Sequence, residues 1–305
     1  MTCAAVVVSY NRRDLLREVL AALTAQTRAP EEIIVIDNGS TDGTRAMLAQ
    51  EFTGISVYLS AENIGGAGGF ALGVDLAIAA GHSDAWLMDD DAVPHLDALA
   101  RLLGAAQRIQ AARPERPRPG FLTCRIVEPD GTPLSIWQPA PLPGAVAPVL
   151  GVTPLPWSPF VGVLVNLDLA RTTFLPMADF FIWLDDLEYT ARLGRAATGY
   201  AVEDAFITHP NKSYVKGDFG WRFEHVVKNR LWILGHRDLA IASVKPTLAA
   251  QLARAVLGQA VRAQSKPAYL RSLGRGLRRG LAEQPVRRPP GGALRGPDAL
   301  RFTRP

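Results

Sequence analysis

Cysteine is nearly absent: Cys3 and Cys124 are the two in 305 residues, and no C-x-x-C pair occurs. That excludes a disulfide framework and a zinc ribbon, and it suits a reducing cytoplasm. Long apolar runs are missing as well. Mean hydropathy is +0.07, yet no stretch reaches the roughly 18 apolar residues that a spanning helix needs. The best candidates, around 146–152 and 161–165, are cut by Pro148, Pro154 and Pro159. No transmembrane helix is expected. With no basic leader before Val6-Val7-Val8, no signal peptide is expected either. The absence of G-x-x-x-x-G-K-[ST] removes the phosphate-loop NTPases. A chain 48% hydrophobic and 20% charged can still bury a core, so disorder as the overall state is excluded.

Acid is scarce at one end. Between residues 254 and 305, twelve Lys and Arg face only Glu283 and Asp298, a local charge of +10 that leaves the remaining chain at −6 within an overall +4. The pI near 9.3 therefore belongs to the tail. An acidic body with a basic appendage suits an anionic surface. A nucleic-acid-binding protein would share such a tail, but the acidic body and the lack of basic–aromatic interleaving in the core argue against nucleic acid as a partner.

What is there is strand–helix alternation. Residues 4–8 read as a buried strand, and Leu15, Leu16, Val19, Leu20 and Leu23 recur at helical spacing behind Asp14. Strands are expected at 33–36, 55–59 and 85–88, and helices at 44–50 and 70–80. This alternation implies an α/β fold with a mostly parallel central sheet and ligands at the carboxyl ends of its strands. Twelve prolines between 113 and 159 make a turn-rich segment, with short strands near 121–127 and 134–137. Regular structure resumes at 161–165 and with a helix around 186–193. Past Trp221 the chain reads as helical, with Leu248, Leu252, Ala255, Val256 and Gln259 on one face. From 285 the Arg287-Arg288-Pro289-Pro290-Gly291-Gly292 stretch is expected to be disordered.

Each early strand ends in polar residues: Ser9-Tyr10-Asn11-Arg12, then Asp37-Asn38, then Asn63 with Gly65-Gly66, then Asp89-Asp90-Asp91. Four polar tips on one sheet edge suit a nucleotide: Asp accepts from a base or ribose, and glycine lets backbone come close. Taken alone, Asp37-Asn38-Gly39 reads equally as a capped turn, and the glycine cluster lacks the G-x-G-x-x-G spacing. Asp89-Asp90-Asp91 is more specific, because a divalent cation resolves the repulsion of adjacent carboxylates. Asp185-Asp186-Leu187-Glu188 follows Phe180-Phe181-Ile182-Trp183-Leu184, so desolvation against an apolar wall would raise a carboxyl toward a useful base. Acids placed at a helix start for its dipole would look the same. His209 reads as a metal ligand or as a structural histidine with equal weight. A nucleotidyltransferase would carry a G-x-G-x-R-type loop near the first strand, where Ser9-Tyr10-Asn11-Arg12 stands instead.

In this order the motifs resemble the family-2 glycosyltransferases of the GT-A fold, over roughly residues 4–235. The resemblance implies a Rossmann-like domain at 1–235; the residues beyond it read as a basic helical extension at 236–284 and a disordered basic tail at 285–305. It implies that Ser9, Tyr10, Asn11, Arg12, Asp37, Asn38, Asn63, Gly65, Gly66 and Asp90 bind the nucleotide. Asp89, Asp91 and His209 would hold Mn2+ or Mg2+, Asp186 would be the base of an inverting transfer, and Trp183, Asp185 and Tyr189 would meet the acceptor. The stretches 63–70 and 180–189 are similar to galactofuranosyltransferases that initiate actinobacterial galactan. That implies UDP-galactofuranose as donor and a polyprenyl-diphosphate-linked or other glycan acceptor. Related rhamnosyltransferases use dTDP-rhamnose. The expected location is cytoplasmic; Arg254, Arg262, Arg271, Arg275, Arg278 and Arg279 on partly apolar helices read either as a surface for anionic lipid headgroups at the inner face of the membrane or as a solvated, partly disordered basic end.

Overall fold

In β1 (Cys3–Ser9) every residue is buried, and alternate side chains feed two cores. Cys3, Ala5 and Val7 meet α1 (Arg13–Thr24), whose Leu16, Val19, Leu20 and Leu23 form its buried stripe. Ala4, Val6 and Val8 face the opposite layer. The chain continues through β2 (Glu32–Asp37), α2 (Thr44–Glu51), β3 (Ser56–Ser60), α3 (Gly65–Ala79) and β4 (Asp84–Asp89). The computed structural model describes residues 1–134, 139–142, 149–210, 217–236 and 244–293 and the backbone of 302–303. β1 lies between β2 and β4, parallel to both, with Ser9 opposite Asp37 and Val8 opposite Asp89. The chain turns back at this point of the strand order, which opens a crevice at the carboxyl ends.

The glycine cluster is not a loop before a helix but the first turns of α3 itself. A Cβ on Gly69 or Gly73 would run into Val8 or Val6 of β1, so glycine spaced by four lets the helix lie directly on the strand. That close packing outweighs glycine's poor helix propensity.

The second half adds antiparallel pairing to the parallel start, so the sheet is mixed. After β5 (Val93–Pro94) and α4 (Ala98–Ala112) come β6 (Phe121–Val127), β7 (Val152–Leu155) and β8 (Val163–Asn166). The chain then forms α5 (Leu167–Ala170), α6 (Asp185–Ala196) and β9 (Gly199–Thr208). β8 runs antiparallel to β4 and to β6, while β6 and β9 are parallel. The short strand expected at 134–137 is not found at Leu134, and its remainder lies outside the described residues. α7 (Phe223–Gly235), α8 (Lys245–Arg262) and α9 (Lys266–Ala282) follow, with Phe223, Val226 and Val227 of α7 packed against Leu252, Val256, Tyr269 and Leu273. The last strand, β10 (Phe302–Thr303), pairs antiparallel with β3 at the sheet edge.

The tail departs from expectation. Residues 285–293 are docked rather than disordered. Asp75 of α3 is 1% exposed and accepts from Gly291 N (2.6 Å) and Ala293 N (2.9 Å), while Asp179 accepts from Val286 N at 2.8 Å. A buried carboxylate needs donors, and the Pro-Pro-Gly-Gly turn supplies the N–H of Gly291 and sets that of Ala293, just after it, at low entropic cost. Arg275 and Arg279 are likewise not free for a lipid surface: both are bound to Glu224 of α7, at 2.6 and 2.9 Å. Among the described residues no helix is long and apolar enough to cross a membrane. Both cysteines are buried and unpaired with each other.

Candidate active site

The strand tips of β1 and β4, the start of α3 and the start of α6 enclose a cavity of about 310 Å3. β4 ends at Asp89, which its register sets beside Val8, and the chain turns at once so that Asp90 and Asp91 also face the cavity. Asp90 accepts from Tyr10 N at 3.2 Å and from Arg12 Nη1 at 3.1 Å. The same Arg12 nitrogen is 2.6 Å from Asp91 Oδ2, and His209 Nε2, just past β9, is 3.1 Å from Asp91 Oδ1. Ligand atoms of Asp89, Asp91 and His209 lie within 4.8 Å of one another.

These groups fit a divalent cation. Two carboxylates and an imidazole are a donor set that Mn2+ and Mg2+ accept, the imidazole favouring the softer ion. The electrostatics agree: burial, together with the charges of Asp91 and Asp90, drives the Asp89 carboxyl well above the usual carboxylate range. Burial likewise raises Asp90, against the opposing pull of Arg12. A cluster so short of positive charge is suited to one more cation.

The opposite wall is built by a strained turn. Phe181, Trp183 and Leu184 all have left-handed backbone, with φ of 64°, 67° and 71°. Such conformations cost about 1–3 kcal/mol each for non-glycine residues and persist where surrounding structure imposes them. Here the side-chain amide of the fully buried Asn229 on α7 imposes them. Its Nδ2 donates to Phe180 O, Ile182 O and Trp183 O at 3.0, 2.8 and 2.9 Å. Lys228 Nζ donates to Asp179 O just upstream. The turn delivers Asp185 and Asp186 to the first turn of α6, both facing the cavity. Burial raises the Asp186 carboxyl to about 6, opposed by the Leu187 N–H that donates to it at 2.7 Å. Asp185 is raised to about 8, by burial and then by the charge of Asp186.

Of the residues singled out in the sequence, Ser9, Tyr10, Arg12, Asn38, Asn63, Gly65 and Gly66 also reach the cavity, as does Trp183. Asn38 Nδ2 donates to Gly65 O at 3.0 Å and Asn63 accepts from Gly65 N at 2.8 Å, fixing the start of α3. Three residues stand elsewhere. Asp37 is fully buried behind the wall, where it accepts from Ser40 N at 2.9 Å. Asn11, with φ of 53°, ties loops together by accepting from Thr41 N at 2.7 Å. Tyr189 is a core residue, 0% exposed and edge-on to Phe160, because the helical period of α6 turns position 189 inward. It is not available to an acceptor.

The sequence reading passed over Phe181, Trp221 and Arg222, which also line the cavity. In the sequence Phe181 belongs to an apolar run, and Trp221 stands only where helix resumes. Nothing local announces either as wall residues.

The family model described as glycosyl transferase family 2 matches residues 4–120. The chain is 33% identical over 215 residues to galactofuranosyltransferase GlfT1 of Mycobacterium tuberculosis, covering 68% of this chain and 69% of that one. It is 28% identical over 227 residues to the N-acetylglucosaminyl-diphospho-decaprenol L-rhamnosyltransferase of the same organism, covering 63% and 70%. Among solved structures, S. aureus TarS 1–349 in complex with UDP matches with a TM-score of 0.59 at 15% identity, over 92% of this chain and 81% of that one. The chain spans 49% of the longer TarS chain. A mannosyltransferase from Pyrobaculum calidifontis, in complex with GDP-Man and Mn2+, matches with a TM-score of 0.53 at 20% identity, over 90% and 80%.

Proposed function

The chain belongs to glycosyltransferase family 2 and has the GT-A fold of a glycosyltransferase, and from that premise we propose that it transfers galactofuranose from UDP-galactofuranose, with inversion, to a lipid-linked glycan acceptor. One observation carries the reading: Asp89, Asp91 and His209 face the same cavity as Asp186, so a metal-held diphosphate and a raised carboxyl base meet in one place.

Asp89, Asp91 and His209 would hold the Mn2+ or Mg2+. Bound there, the cation would supply positive charge to the leaving diphosphate, in place of the acid a glycosidase needs. The loop at Ser9–Arg12, the Asn38 and Asn63 amides and the backbone of Gly65 and Gly66 form the nucleotide wall, with Asp90 orienting Tyr10 and Arg12. Asp37 and Asn11 act from behind by holding the loops in shape. At the start of α3 the Gly65 and Ala67 N–H groups are taken by Asn63 Oδ1 and Phe181 O, which holds this stretch of backbone in place as a wall. Asp186 takes the proton from the acceptor hydroxyl as its oxygen bonds to the anomeric carbon and the bond to UDP breaks. Asp185 lies beside it, its carboxyl raised by burial and then by the charge of Asp186, and would meet the acceptor.

The galactofuranose donor is supported by the 33% identity to GlfT1, and dTDP-rhamnose is the second reading, supported by the rhamnosyltransferase relative. The diphospho-decaprenol in that relative's name supports a lipid-linked acceptor, met at the inner face of the membrane. The test is UDP and dTDP release from UDP-galactofuranose, UDP-galactopyranose, UDP-glucose and dTDP-rhamnose, with Mn2+ and again with EDTA. Turnover of UDP-galactofuranose that needs metal and is lost in Asp186→Asn is the expected outcome. Turnover of dTDP-rhamnose alone moves the enzyme to the second reading, and turnover that survives both EDTA and Asp186→Asn overturns the mechanism.

A further inference from the structure

The cavity is short of positive charge. Asp89, Asp90, Asp91, Asp185 and Asp186 all face it, and the Arg12 guanidinium is committed to Asp90 and Asp91. Arg222 is different. It sits at the mouth on the turn Gly220–Arg222, exposed, with its guanidinium 5.7 Å from the centre of the Trp221 ring. No carboxylate among the described residues is ion-paired with it. Arg222 therefore has its donors available to an anion that arrives with a ligand.

Trp221 beside it is 56% exposed, an unusual cost for the largest side chain unless something covers it. It is nevertheless fixed. Its ring stands edge-on to Phe181 and to His225, each at 5.8 Å, and Phe181 and His225 stack at 4.9 Å. Phe181 belongs to the strained turn that ends at Asp185 and Asp186, so the platform and the base share one rigid support. α9 packs against the turn from outside. A flat aromatic face with a free guanidinium alongside matches a sugar joined to a diphosphate: the indole covers the apolar C–H face, and the planar fork binds phosphate oxygens.

Two diphosphates could supply that anion, the donor's and the acceptor's. The donor's is accounted for by the acid and histidine cluster at the end of β4. Resting on the reading of this cavity as one for a lipid-linked acceptor, we propose that Trp221 and Arg222 form the acceptor subsite, with the indole under the acceptor sugar and the guanidinium on the diphosphate joining it to lipid.

The test uses the full chain and two acceptor probes that carry N-acetylglucosamine, one on farnesyl diphosphate and one as a neutral octyl glycoside. Binding of each, and of UDP with Mn2+, is measured by calorimetry for the wild type, Arg222→Gln, Arg222→Lys, Trp221→Ala and Trp221→Phe. Both positions are exposed, and thermal melting checks that each variant folds. The expected result is that Arg222→Gln weakens the farnesyl-diphosphate probe about tenfold, the scale of a charge-assisted hydrogen bond. The octyl glycoside and UDP with Mn2+ keep their affinities, and Arg222→Lys recovers part of the loss. Trp221→Ala weakens both sugar probes together, and Trp221→Phe recovers most of it. If Arg222→Gln weakens UDP with Mn2+ instead, the guanidinium serves the donor and the proposal falls. Equal loss on both acceptor probes, or none, also overturns it. A wild type that binds UDP with Mn2+ but neither sugar probe sinks the acceptor subsite while leaving glycosyl transfer standing; failure of every donor to turn over is the separate failure of the underlying reading.

Discussion

A base has to be ionised to work, and burial makes Asp186 harder to ionise. With its carboxyl raised to about 6, turnover is expected to climb as pH rises through about 6 and to level off above it. A kcat profile between pH 5 and 8 under saturating donor checks this; a flat profile excludes Asp186 as the base. The same shifts set a stability trend. Asp185 and Asp186 bind protons in the folded chain at pH values where the unfolded chain, with carboxyls near 4, has released them. Their contribution is therefore fully present below about pH 4 and is lost as pH rises through the folded values, about 6 and about 8. Arg12 governs the neighbouring acids. Replacing it by Ala removes a cation 2.6 Å from a carboxylate oxygen of Asp91 and leaves buried acids less compensated. The metal-free protein should then lose about 2 kcal/mol. Mn2+, no longer opposed by the guanidinium, should bind about tenfold more tightly by calorimetry. Weaker Mn2+ binding in Arg12→Ala would show that the guanidinium supports the metal site instead of competing with it.

At the scale of elements, α3 is held to β1 by missing side chains. Gly73→Ala inserts a Cβ into Val6 and is expected to cost about 1–3 kcal/mol by overpacking. Gly104→Ala on α4 meets only the flexible end of Arg108 at 3.4 Å and should gain about 0.5–1 kcal/mol from helix propensity. Urea unfolding of the two variants reads both signs. This pair also marks where the sequence was legible. Val6-Val7-Val8 and the leucine spacing of α1 are local patterns, and with them the first four parallel strands and α1 and α2 lie within a residue or two of where the sequence puts them, whereas α3 begins five residues earlier, at Gly65. Glycine's local preference says loop, and only its distance to β1 makes Gly65–Gly73 a helix. The antiparallel insertion of β8 between β4 and β6 was illegible for the same reason, since strand pairing across some eighty residues leaves no periodic trace in either partner. In the site, the acids were readable because adjacent carboxylates are costly without a cation. Asn229 was not: a lone amide in α7 does not announce that it clamps three carbonyls almost fifty residues upstream.

Over the whole molecule the basic end is in part a structural element. Arg275 and Arg279 hold α9 to Glu224, and the segment at 285–293 closes over Asp75 and Asp179, so part of the charge is structural. Other residues of α8 and α9 face outward. On α8, Leu257 and Val261 are 70% and 80% exposed, and on α9, Leu270 and Leu281 are 61% and 74% exposed, with Leu277 between them at 40%. Positions 257 and 261, and 270, 277 and 281, each fall on one side of their helix. Exposed Arg254, Arg262, Arg271 and Arg278 flank these rows. Leucine rows edged by arginine on helices too polar to span are the pattern of a surface that rests in the headgroup region of an anionic bilayer. At about 1 kcal/mol for each basic residue near such a surface, four arginines are enough to make binding depend on lipid charge. The protein should therefore sediment with vesicles containing phosphatidylglycerol, at least tenfold more tightly than with neutral phosphatidylcholine, and come off as salt is raised. Leu270→Glu with Leu281→Glu should abolish the binding without lowering turnover of a water-soluble acceptor, because neither residue reaches the cavity. Equal binding to both vesicle types would remove the electrostatic part. Retention by the double variant would remove the apolar part and leave the leucine rows to another partner. Because α9 also packs on the Gly220–Arg222 turn, a bilayer held against these helices would lie beside the mouth where a lipid-borne acceptor has to enter.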